Sequence, residues 1–368
     1  MDDERLYQVA LTRVPHVGCV IAKALIEKFK SATEVFKASA ADLELVEGVG
    51  TGIARSLSRF RDFRTCEKIL NDVEQYKLSM IFLNDEAYPK RLLDCYDPPT
   101  LLFYKGNISL NAPKKVAVIG TRSHSEYGRQ VTEKLIRDLR DKDITIVSGM
   151  AYGIDGLAHR NAIKYDIPTI GVLAHGLNTI YPSEHTSMAR EMLRGKGALV
   201  TEFIIGTKPD RHNFPIRNRI VAGICDAIVV VETGLKGGSM ITASIAASYN
   251  HPVFVFPGRT TDHKNVGCNM LLRRKSATIV LDADNLLEEM QWEIPKDPNR
   301  KNNQLSFFGE LNTAEATIVN LLGIHGQLAI DELYLRSGLN SGAAASAILN
   351  LEIRNIIKSL PGKQYRMV

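Results

Sequence analysis

The sequence has no long apolar run, no apolar leader and no paired cysteines. Its apolar runs, such as Ile228–Val231, are far shorter than the roughly 20 residues that cross a bilayer. The start, MDDERLYQVA, is acidic and lacks the apolar core of a signal peptide, so we do not expect secretion. The five cysteines include no CxxC pair, which fits a reducing compartment better than a disulfide frame or a zinc site. We therefore expect a cytoplasmic protein without a metal and without a membrane partner.

The sequence also lacks a large excess of either positive or negative charge. The chain holds 46 Lys and Arg against 41 Asp and Glu, a formal net charge of +5, and the two signs are interspersed. Any site for a polyanion must therefore be a local patch. Hydrophobic residues make up 45% of the 368 residues, which excludes a mostly disordered or fibrous chain. At roughly 150 residues per domain, this length predicts two or three domains.

The rhythm of apolar residues divides the chain into three folded blocks and a linker. Residues 1–75 have apolar residues at helical spacing between glycine turns, as in a helix-hairpin-helix domain. The next block is residues 76–290. Its first part, 76–112, predicts extended chain, and short β-branched runs alternate with helical stretches in the rest. This alternation predicts a Rossmann-like α/β domain with a parallel sheet. Residues 291–308, rich in Pro and Asn, predict a linker, and residues 309–368 predict a winged helix made of three helices and a hairpin.

The first block contains two related segments, VPHVGCVIAKAL at 14–25 and VEGVGTGIARSL at 46–57. Each has a glycine turn before a helix, so backbone N–H groups at the N-terminus of that helix could face a phosphate. The first copy has His16 where the second has Gly48. The alternative is that the glycines only make tight helix–helix turns in a protein-interaction module.

Glycines and polar residues follow the first two strands of the parallel sheet. The first strand ends in VAVIGTRSHSEYG, which lacks the GxGxxG fingerprint and argues against a nicotinamide cofactor. Arg122 would contact an anion there, because ligands of open α/β sheets bind at the carboxyl ends of strands; the alternative is a solvated surface arginine. After the second strand, SGMAYGIDGLAH opens a helix whose N-terminus favours an anion. Asp155 and His159 share a face of that helix, and we expect a hydrogen-bonded pair that supports the loop rather than a catalytic pair.

The densest signal for nucleic acid is KPDRHNFPIRNRI, residues 208–220. Its basic residues surround Phe214, a pattern that suits single-stranded nucleic acid, since guanidinium groups hold phosphates while a ring stacks on a base. In the alternative, Phe214 fills the core in front of a helix at 216–225 and the arginines form surface ion pairs. The later segment VETGLKGGSM has Lys236 beside two glycines and predicts another anion-receptive helix N-terminus.

The predicted third helix of the last block, SGAAASAILNLE, has no Lys or Arg before Arg354. A helix that reads duplex DNA in the major groove needs phosphate contacts. We therefore expect a protein-interaction or accessory role for this block rather than that of a duplex-DNA regulator.

Six segments occur in series: VAVIGTRSHSEYG, SGMAYGIDGLAH, TIGVLAHGLNTIYPSEH, NFPIRNRIVAGI, VVVETGLKGGSMITA and VFPGRTTDHKNVGCNML. Together they resemble the DNA-processing protein DprA (Smf) family of bacteria, over essentially the whole chain. The resemblance implies a SAM-like or helix-hairpin-helix domain, an extended Rossmann domain and a winged helix. It also implies a protein without catalytic residues that binds incoming single-stranded DNA during natural transformation. Such a protein would protect the strand, help to load the recombinase RecA, and form a homodimer through the Rossmann domain.

Carried over by motif, the DNA-associated positions of the family fall on Arg122, on Arg211, Phe214, Arg217 and Asn218, and on the loop from Lys236 to Ser239. Two departures concern this region, because Tyr152 stands where Arg is common and Gly237 where Ser is common. From the motifs and the resemblance together we predict DNA contacts at Gly120, Arg122, Ser148, Gly149, Gly153, Arg211, Phe214, Arg217, Asn218, Arg219, Lys236, Gly238 and Ser239.

The alternative to a DNA-binding protein is an enzyme, a nucleotide-processing α/β phosphoribohydrolase that uses Glu232 or Asp155 on a phosphorylated ribose. Such enzymes bind phosphate on a glycine-rich loop, but their PGGxGTxxE signature is missing and VETGLKGGSM is a poor substitute. We therefore expect a binding protein without catalysis and without a cofactor.

Overall fold

The computed structural model describes residues 3–292, 312–354, 356–360 and 362–367. The chain divides into two compact units, Met1–Ile294 and Pro295–Val368. The boundary predicted after residue 75 lies within the first unit, and the domain limits stay a prediction. The predicted linker lies outside the described residues except for residues 291 and 292. No helix in the described part of the chain is long and apolar enough to span a membrane.

The N-terminal residues form short helices joined by tight turns. They are α1 (Asp3–Leu11), α2 (Cys19–Phe29), α3 (Ala32–Lys37), α4 (Ala40–Glu44), α5 (Thr51–Ser58) and α6 (Phe63–Gln75). The two related segments fold alike, because Gly18 and Gly50 cap α2 and α5 with φ of −85° and −90° and with ψ of 176° in both. His16 and Gly48 also occupy matching positions, with φ of 66° and 81° in the left-handed region. The doubling seen in the sequence is therefore a structural repeat.

A nine-stranded sheet organises the first unit within residues 3–292. Its strands are β1 (Ser79–Phe82), β2 (Leu101–Gly106), β3 (Lys115–Ile119), β4 (Thr145–Ser148), β5 (Thr169–Val172), β6 (Gly197–Thr201), β7 (Ala227–Val230), β8 (Val253–Val255) and β9 (Thr278–Ile279). The order across the sheet is β1-β2-β6-β5-β4-β3-β7-β8-β9. The neighbours from β6 to β9 are all parallel, which agrees with the predicted doubly wound domain.

The stretch 76–112, expected as extended chain, forms part of the sheet. β1 pairs with β2 in antiparallel fashion, and β2 pairs antiparallel with β6 at one edge of the parallel strands. A short helix, α7 (Lys90–Asp94), lies between β1 and β2. The sequence of this stretch is interrupted by prolines, so its local pattern does not reveal a pairing that depends on a strand about a hundred residues later.

The central strands are buried on both faces, as their continuous apolar sequences predict. Along β3, Val116 and Val118 join the core on one face, while Ala117 and Ile119 join the core on the other. The strand order reverses between β3 and β7, because β4 pairs with one side of β3 and β7 with the other. Ligands of doubly wound sheets bind outside the carboxyl ends of strands at such a switch point. The fold therefore favours a site beyond Ile119 and Val230.

Helices cover both faces of this sheet: α8 (Glu126–Asp138), α9 (Ile154–Lys164), α10 (Thr186–Arg194), α11 (Asn213–Ile224), α12 (Gly238–Ser248), α13 (Val266–Arg273) and α14 (Ala283–Glu289). α11 begins at Asn213, three residues before its predicted start at 216, so Phe214 lies in the first turn of the helix. Pro215 is tolerated there because a helix's first turn has no backbone partner for the missing N–H.

The second unit contains α15 (Thr313–His325), β10 (Gln327–Ala329), α16 (Ile330–Ser337), α17 (Ser341–Ile353), β11 (Ile357–Leu360) and β12 (Gln364–Met367). In its described residues the strands form an antiparallel sheet of order β10-β12-β11. Asn312 and Glu315 form a capping box at the start of α15. Leu322, Leu333 and Leu351 bring the helices together in one core. This is the predicted winged-helix arrangement.

Candidate nucleic-acid interface

A cavity of about 360 Å³ opens outside the carboxyl ends of β3, β4 and β7. The loops after these strands, the first turns of α11 and the N-terminus of α12 form its walls. The predicted contact residues that line it are Gly120, Arg122, Gly149, Phe214, Arg217, Asn218, Lys236, Gly238 and Ser239. The fold therefore brings most of the predicted set to one place, and Ser148, Gly153, Arg211 and Arg219 lie outside the lining.

Gly120 opens the loop after β3, and close packing requires a glycine there. A Cβ atom at this position would lie 2.5 Å from Cγ1 of Ile154 and 2.9 Å from the carbonyl oxygen of Glu232. The next residue, Thr121, donates its N–H to the same carbonyl oxygen at 2.7 Å. The loop is thereby tied to the segment after β7, and Arg122 leaves it at the mouth of the cavity.

Arg122 and Phe214 meet at this mouth. Arg122 is exposed, and its guanidinium carbon lies 5.2 Å from the centroid of the Phe214 ring. Within the described residues, no hydrogen bond or ion pair engages that guanidinium. Phe214 is half-buried and packs beside Tyr181, with 6.0 Å between ring centroids. Phe214 therefore lines the cavity instead of filling the core, and Arg122 keeps its donors available for an anion.

Arg217 lies beneath the cavity and is only 4% exposed. Its Nη1 donates to the carbonyl oxygens of Gly149 and Val172, which end the segments of β4 and β5. A Cβ atom on Gly149 would lie 2.3 Å from this Nη1, so glycine is needed for the approach. These backbone groups thus occupy Nη1, whereas Nε has no hydrogen-bond partner among the described residues. The structure gives Arg217 a positioning role for the two loops, and its predicted contact with DNA stays a prediction.

The charge of Arg217 still reaches the cavity. Burial lowers the pKa of Arg217 to about 10, against the opposing effect of Asp155, so the guanidinium stays charged at neutral pH. Burial raises the pKa of Asp155, and Arg217 opposes that rise. Oδ2 of Asp155 also accepts the N–H of Gly149 at 3.2 Å. A buried charge close to a partly desolvated cavity acts more strongly than the same charge in water.

Arg219 lies on another face of α11 and lines a different cavity. It forms ion pairs with Glu202 at 2.5 Å and with Asp97 at 3.6 Å. At 3.6 residues per turn, side chains two positions apart in a helix point in directions about 200° apart. Arg217 and Arg219 therefore cannot serve the same surface, and this geometry corrects the predicted placement of Arg219.

The other predicted residues outside the lining have different surroundings. Ser148 is buried, and its Oγ donates to the carbonyl oxygen of Val118 at 2.7 Å, which joins β4 to β3. Gly153 has a φ of 78°, and a Cβ atom there would lie 2.1 Å from the carbonyl oxygen of Thr121. Both residues shape the site without facing it. Arg211 is exposed on the turn before α11.

The N-terminus of α12 supplies backbone donors to the cavity. Gly237 is its N-cap, and no side chain caps the first turn. Ser239 donates from Oγ to Oγ1 of Thr233 at 2.7 Å, and Nδ2 of Asn218 donates to the carbonyl oxygen of Gly238 at 3.3 Å. Lys236 is exposed immediately before this turn. The free N–H groups and the positive end of the helix dipole favour an anion here.

The two carboxylates of the enzyme alternative, Glu232 and Asp155, form hydrogen bonds within the fold. Glu232 is fully buried and does not line the cavity, and its Oε2 accepts the N–H of Ser125 at 2.7 Å. Asp155 and His159 were expected to pair with each other, yet the structure gives each a different partner. Nδ1 of His159 lies 2.8 Å from Oγ1 of Thr169. Complete burial, together with nearby positive charge, lowers the pKa of His159 to about 3.

Two tyrosines beside the cavity were missed in the sequence. A narrow cleft continues from the cavity past Arg122 and Phe214 and is also lined by Tyr152 and Tyr181. These tyrosines are 40% and 43% exposed. Tyr152 lies shortly after the end of β4, so the rule applied to Arg122, that strand ends bear ligand contacts, would have selected it, whereas Tyr181 lies too far beyond the end of β5.

Comparison with protein families identifies the chain. Residues 79–291 match the model described as DNA recombination-mediator protein A, which covers more than half of the sequence. The chain belongs to the DNA recombination-mediator protein A family. Residues 9–70 also match a helix-hairpin-helix motif, and residues 309–363 match the DprA winged helix domain. These matches confirm the predicted family and fold class.

Individual relatives agree with this family assignment. Protein Smf of Escherichia coli K12 is 32% identical over 336 residues, which cover 90% of this chain and 89% of the relative. DNA processing protein DprA of Bacillus subtilis is 36% identical over 224 residues, 61% of this chain and 75% of that protein.

Solved structures of the family have the same fold. DNA processing protein A of Streptococcus pneumoniae aligns with a TM-score of 0.64 at 28% identity, covering 80% of this chain and 99% of that one. DNA processing protein A of Helicobacter pylori aligns with a TM-score of 0.53 at 31% identity, covering 58% and 96%. The latter structure concerns the single-stranded DNA binding mode of the Helicobacter protein.

Proposed function

We propose that this family member binds single-stranded DNA in the cavity at the ends of β3, β4 and β7. The observation that carries the proposal is the exposed Arg122 guanidinium over the ring of Phe214, above a buried arginine and beside the N-terminus of α12. The Helicobacter relative, which is described with single-stranded DNA, supports the same ligand.

In this proposal the backbone and the bases of the strand have different partners. A phosphate binds between Arg122, Lys236 and the free N–H groups of α12, and the charge of Arg217 strengthens the local field. An unpaired base stacks on Phe214, because every base offers a π-face to an aromatic ring. A paired base cannot leave its stack without cost, so the site favours single strands over duplex DNA.

The proposal extends to the role in recombination that the resemblance implies. The protein protects incoming single-stranded DNA during natural transformation and helps to load RecA, acting in the cytoplasm as a homodimer formed through the Rossmann domain. Assembly of RecA on a strand already covered by a single-stranded DNA-binding protein tests this role directly. Faster assembly with the wild-type chain than with Arg122→Ala supports it, and equal rates oppose it.

The first experiment compares labelled oligo-dT with a duplex of equal length at several salt concentrations. If about four phosphates are neutralised, log affinity falls against log salt with a slope near −3, at roughly −0.7 per phosphate. A strong, salt-sensitive preference for the single strand supports the proposal. The absence of a preference opposes it and shifts attention to the end modules.

We also propose that the protein does not act as a phosphoribohydrolase. Glu232 lies outside the cavity, whereas Asp155 lines it but is only 7% exposed, accepts the N–H of Gly149 and stands beside Arg217. Neither carboxylate has the exposed position that a phosphorylated ribose would require. Turnover of nucleoside monophosphates that is abolished by Glu232→Gln would overturn this part of the proposal.

A further inference from the structure

Beside the cavity lies a group of aromatic rings that we call the aromatic shelf, formed by Tyr152, Tyr181 and Phe214. These residues line the cleft that continues from the cavity, together with Pro182. Tyr181 and Phe214 have ring centroids 6.0 Å apart and planes inclined by 52°. Tyr152 and Tyr181 are each about two-fifths exposed, although tyrosine rings of this size gain from burial. The shelf is therefore an open aromatic surface continuous with the proposed DNA site.

Neighbouring side chains restrict the orientation of the Tyr152 ring. The tyrosine side chain lies beside the carboxylate of Glu184, whose proximity raises the pKa of Tyr152. Its ring packs against His185 in an edge-on arrangement, with centroids 5.7 Å apart. His185 is buried, and its Nδ1 lies 2.9 Å from the carbonyl oxygen of Met150. A ring fixed in this way loses little entropy when a ligand stacks on it.

Charge separates the two ends of the site. The cavity presents Arg122, Lys236 and the N-terminus of α12, and its lining also includes the buried, oppositely charged neighbours Arg217 and Asp155. The shelf instead carries the exposed carboxylate of Glu184 next to Tyr152. A phosphate is attracted to the first end and repelled from the second. Neutral bases do not experience this repulsion and gain from stacking on exposed rings.

We infer that Tyr152 and Tyr181 stack on unpaired bases of the strand whose phosphates the cavity holds. The inference rests on the proposed function and deepens it, because it gives the strand a path from the cavity across Phe214 onto the shelf. Binding here depends on bases and not only on the backbone.

The test measures the affinity of the full chain for oligo-dT and for an abasic oligonucleotide of the same length at fixed salt. The wild type should bind oligo-dT more tightly than the abasic strand. Tyr152→Ala and Tyr181→Ala should each weaken binding of oligo-dT by about fivefold or more and leave binding of the abasic strand unchanged. Tyr152→Phe keeps the ring and should retain most of the affinity.

Tyr96→Ala is the matched control, since Tyr96 is 64% exposed and lies outside both the cavity and the cleft. Its affinity for both strands should equal that of the wild type. Tyr152→Arg should bind the abasic strand more tightly and steepen the salt dependence, because it exchanges stacking for charge. Equal losses on both strands in the tyrosine variants would overturn the inference while leaving the proposed function intact.

A second readout needs no substitution. Oligonucleotides with 5-iododeoxyuridine crosslink under ultraviolet light to aromatic rings that stack on the modified base. Crosslinks at Tyr152 or Tyr181 in the wild-type chain support the inference, and crosslinks confined to other residues oppose it. If the wild type binds neither oligo-dT nor the abasic strand, the proposed function itself fails, and this outcome is distinct from a failure of the shelf.

Discussion

The guanidinium of Arg122 lies over the ring of Phe214, with 5.2 Å between its central carbon and the ring centroid. One residue follows β3 and the other begins α11, so only the fold brings them together. A cation over a ring face contributes about 0.5–1 kcal/mol at an exposed site. The pair presents a charge and an aromatic surface side by side, which suits a phosphate and its neighbouring base.

Replacement of Phe214 by Ala should weaken the binding of oligo-dT by about 1–3 kcal/mol, because one stacked base loses its partner. The slope of log affinity against log salt should stay nearly unchanged, since no phosphate contact is removed. Fluorescence anisotropy of a labelled oligonucleotide over a series of salt concentrations measures both quantities. A large change in slope would show that the ring acts mainly by holding Arg122 in place.

Replacement of Arg122 by Ala should reduce the magnitude of the salt slope by about 0.7 to 1, because one phosphate contact is lost. The same titration series provides the measurement. Arg190→Ala is a useful control, because Arg190 is also exposed but lies on α10 and does not line the cavity. Identical slopes in the Arg122 and Phe214 variants would contradict the division of labour between charge and ring.

Gly153→Ala should lower the free energy of unfolding by about 2–4 kcal/mol and should also weaken DNA binding. A Cβ atom at Gly153 would lie 2.1 Å from the carbonyl oxygen of Thr121 and would displace the loop that carries Arg122. Gly206→Ala is the matched control, because its φ of 86° is similar but nothing lies within 4 Å of the added atom. It should cost only about 1–2 kcal/mol of backbone strain. Urea unfolding compares the two variants, and equal losses would refute the packing argument.

His159 should make the fold less stable in acid. Its pKa is lowered to about 3 in the folded chain, whereas an unfolded histidine titrates near 6.5. The unfolded state therefore takes up a proton first, and stability present above about pH 6.5 is lost progressively as the pH falls toward 3. Between pH 7 and pH 5 the loss from this residue is about 2 kcal/mol.

Urea unfolding at pH 7 and pH 5 tests this expectation. His159→Asn should be less stable than the wild type at pH 7 because it disturbs a buried site, and it should lose less stability between the two pH values. His263→Asn, at an exposed position, should follow the wild type. An unchanged pH dependence in His159→Asn would show that other groups control the acid response.

The sequence by itself determined the identity of the family and the order along the chain of the parallel strands from β3 to β9, but not the strands β1 and β2. Continuous β-branched runs, glycine turns and capping residues are local signals, because strand burial and helix termination depend on neighbours within a few positions. For this reason the sequence alone indicates the repeated turn at Gly18 and Gly50 and the capping box at Asn312. The rule that ligands bind at strand ends also pointed to Gly120 and Arg122 in the cavity lining.

Tertiary structure alone decided which side chains face the cavity. Arg217 and Arg219 are indistinguishable in a list of basic residues, yet one is bonded to the ends of β4 and β5 and the other pairs with Glu202. The pairing of β2 with β6 and the meeting of Tyr152, Tyr181 and Phe214 likewise join residues far apart in the chain. Such contacts depend on how buried charges find partners and how layers pack together, and no local periodicity records them.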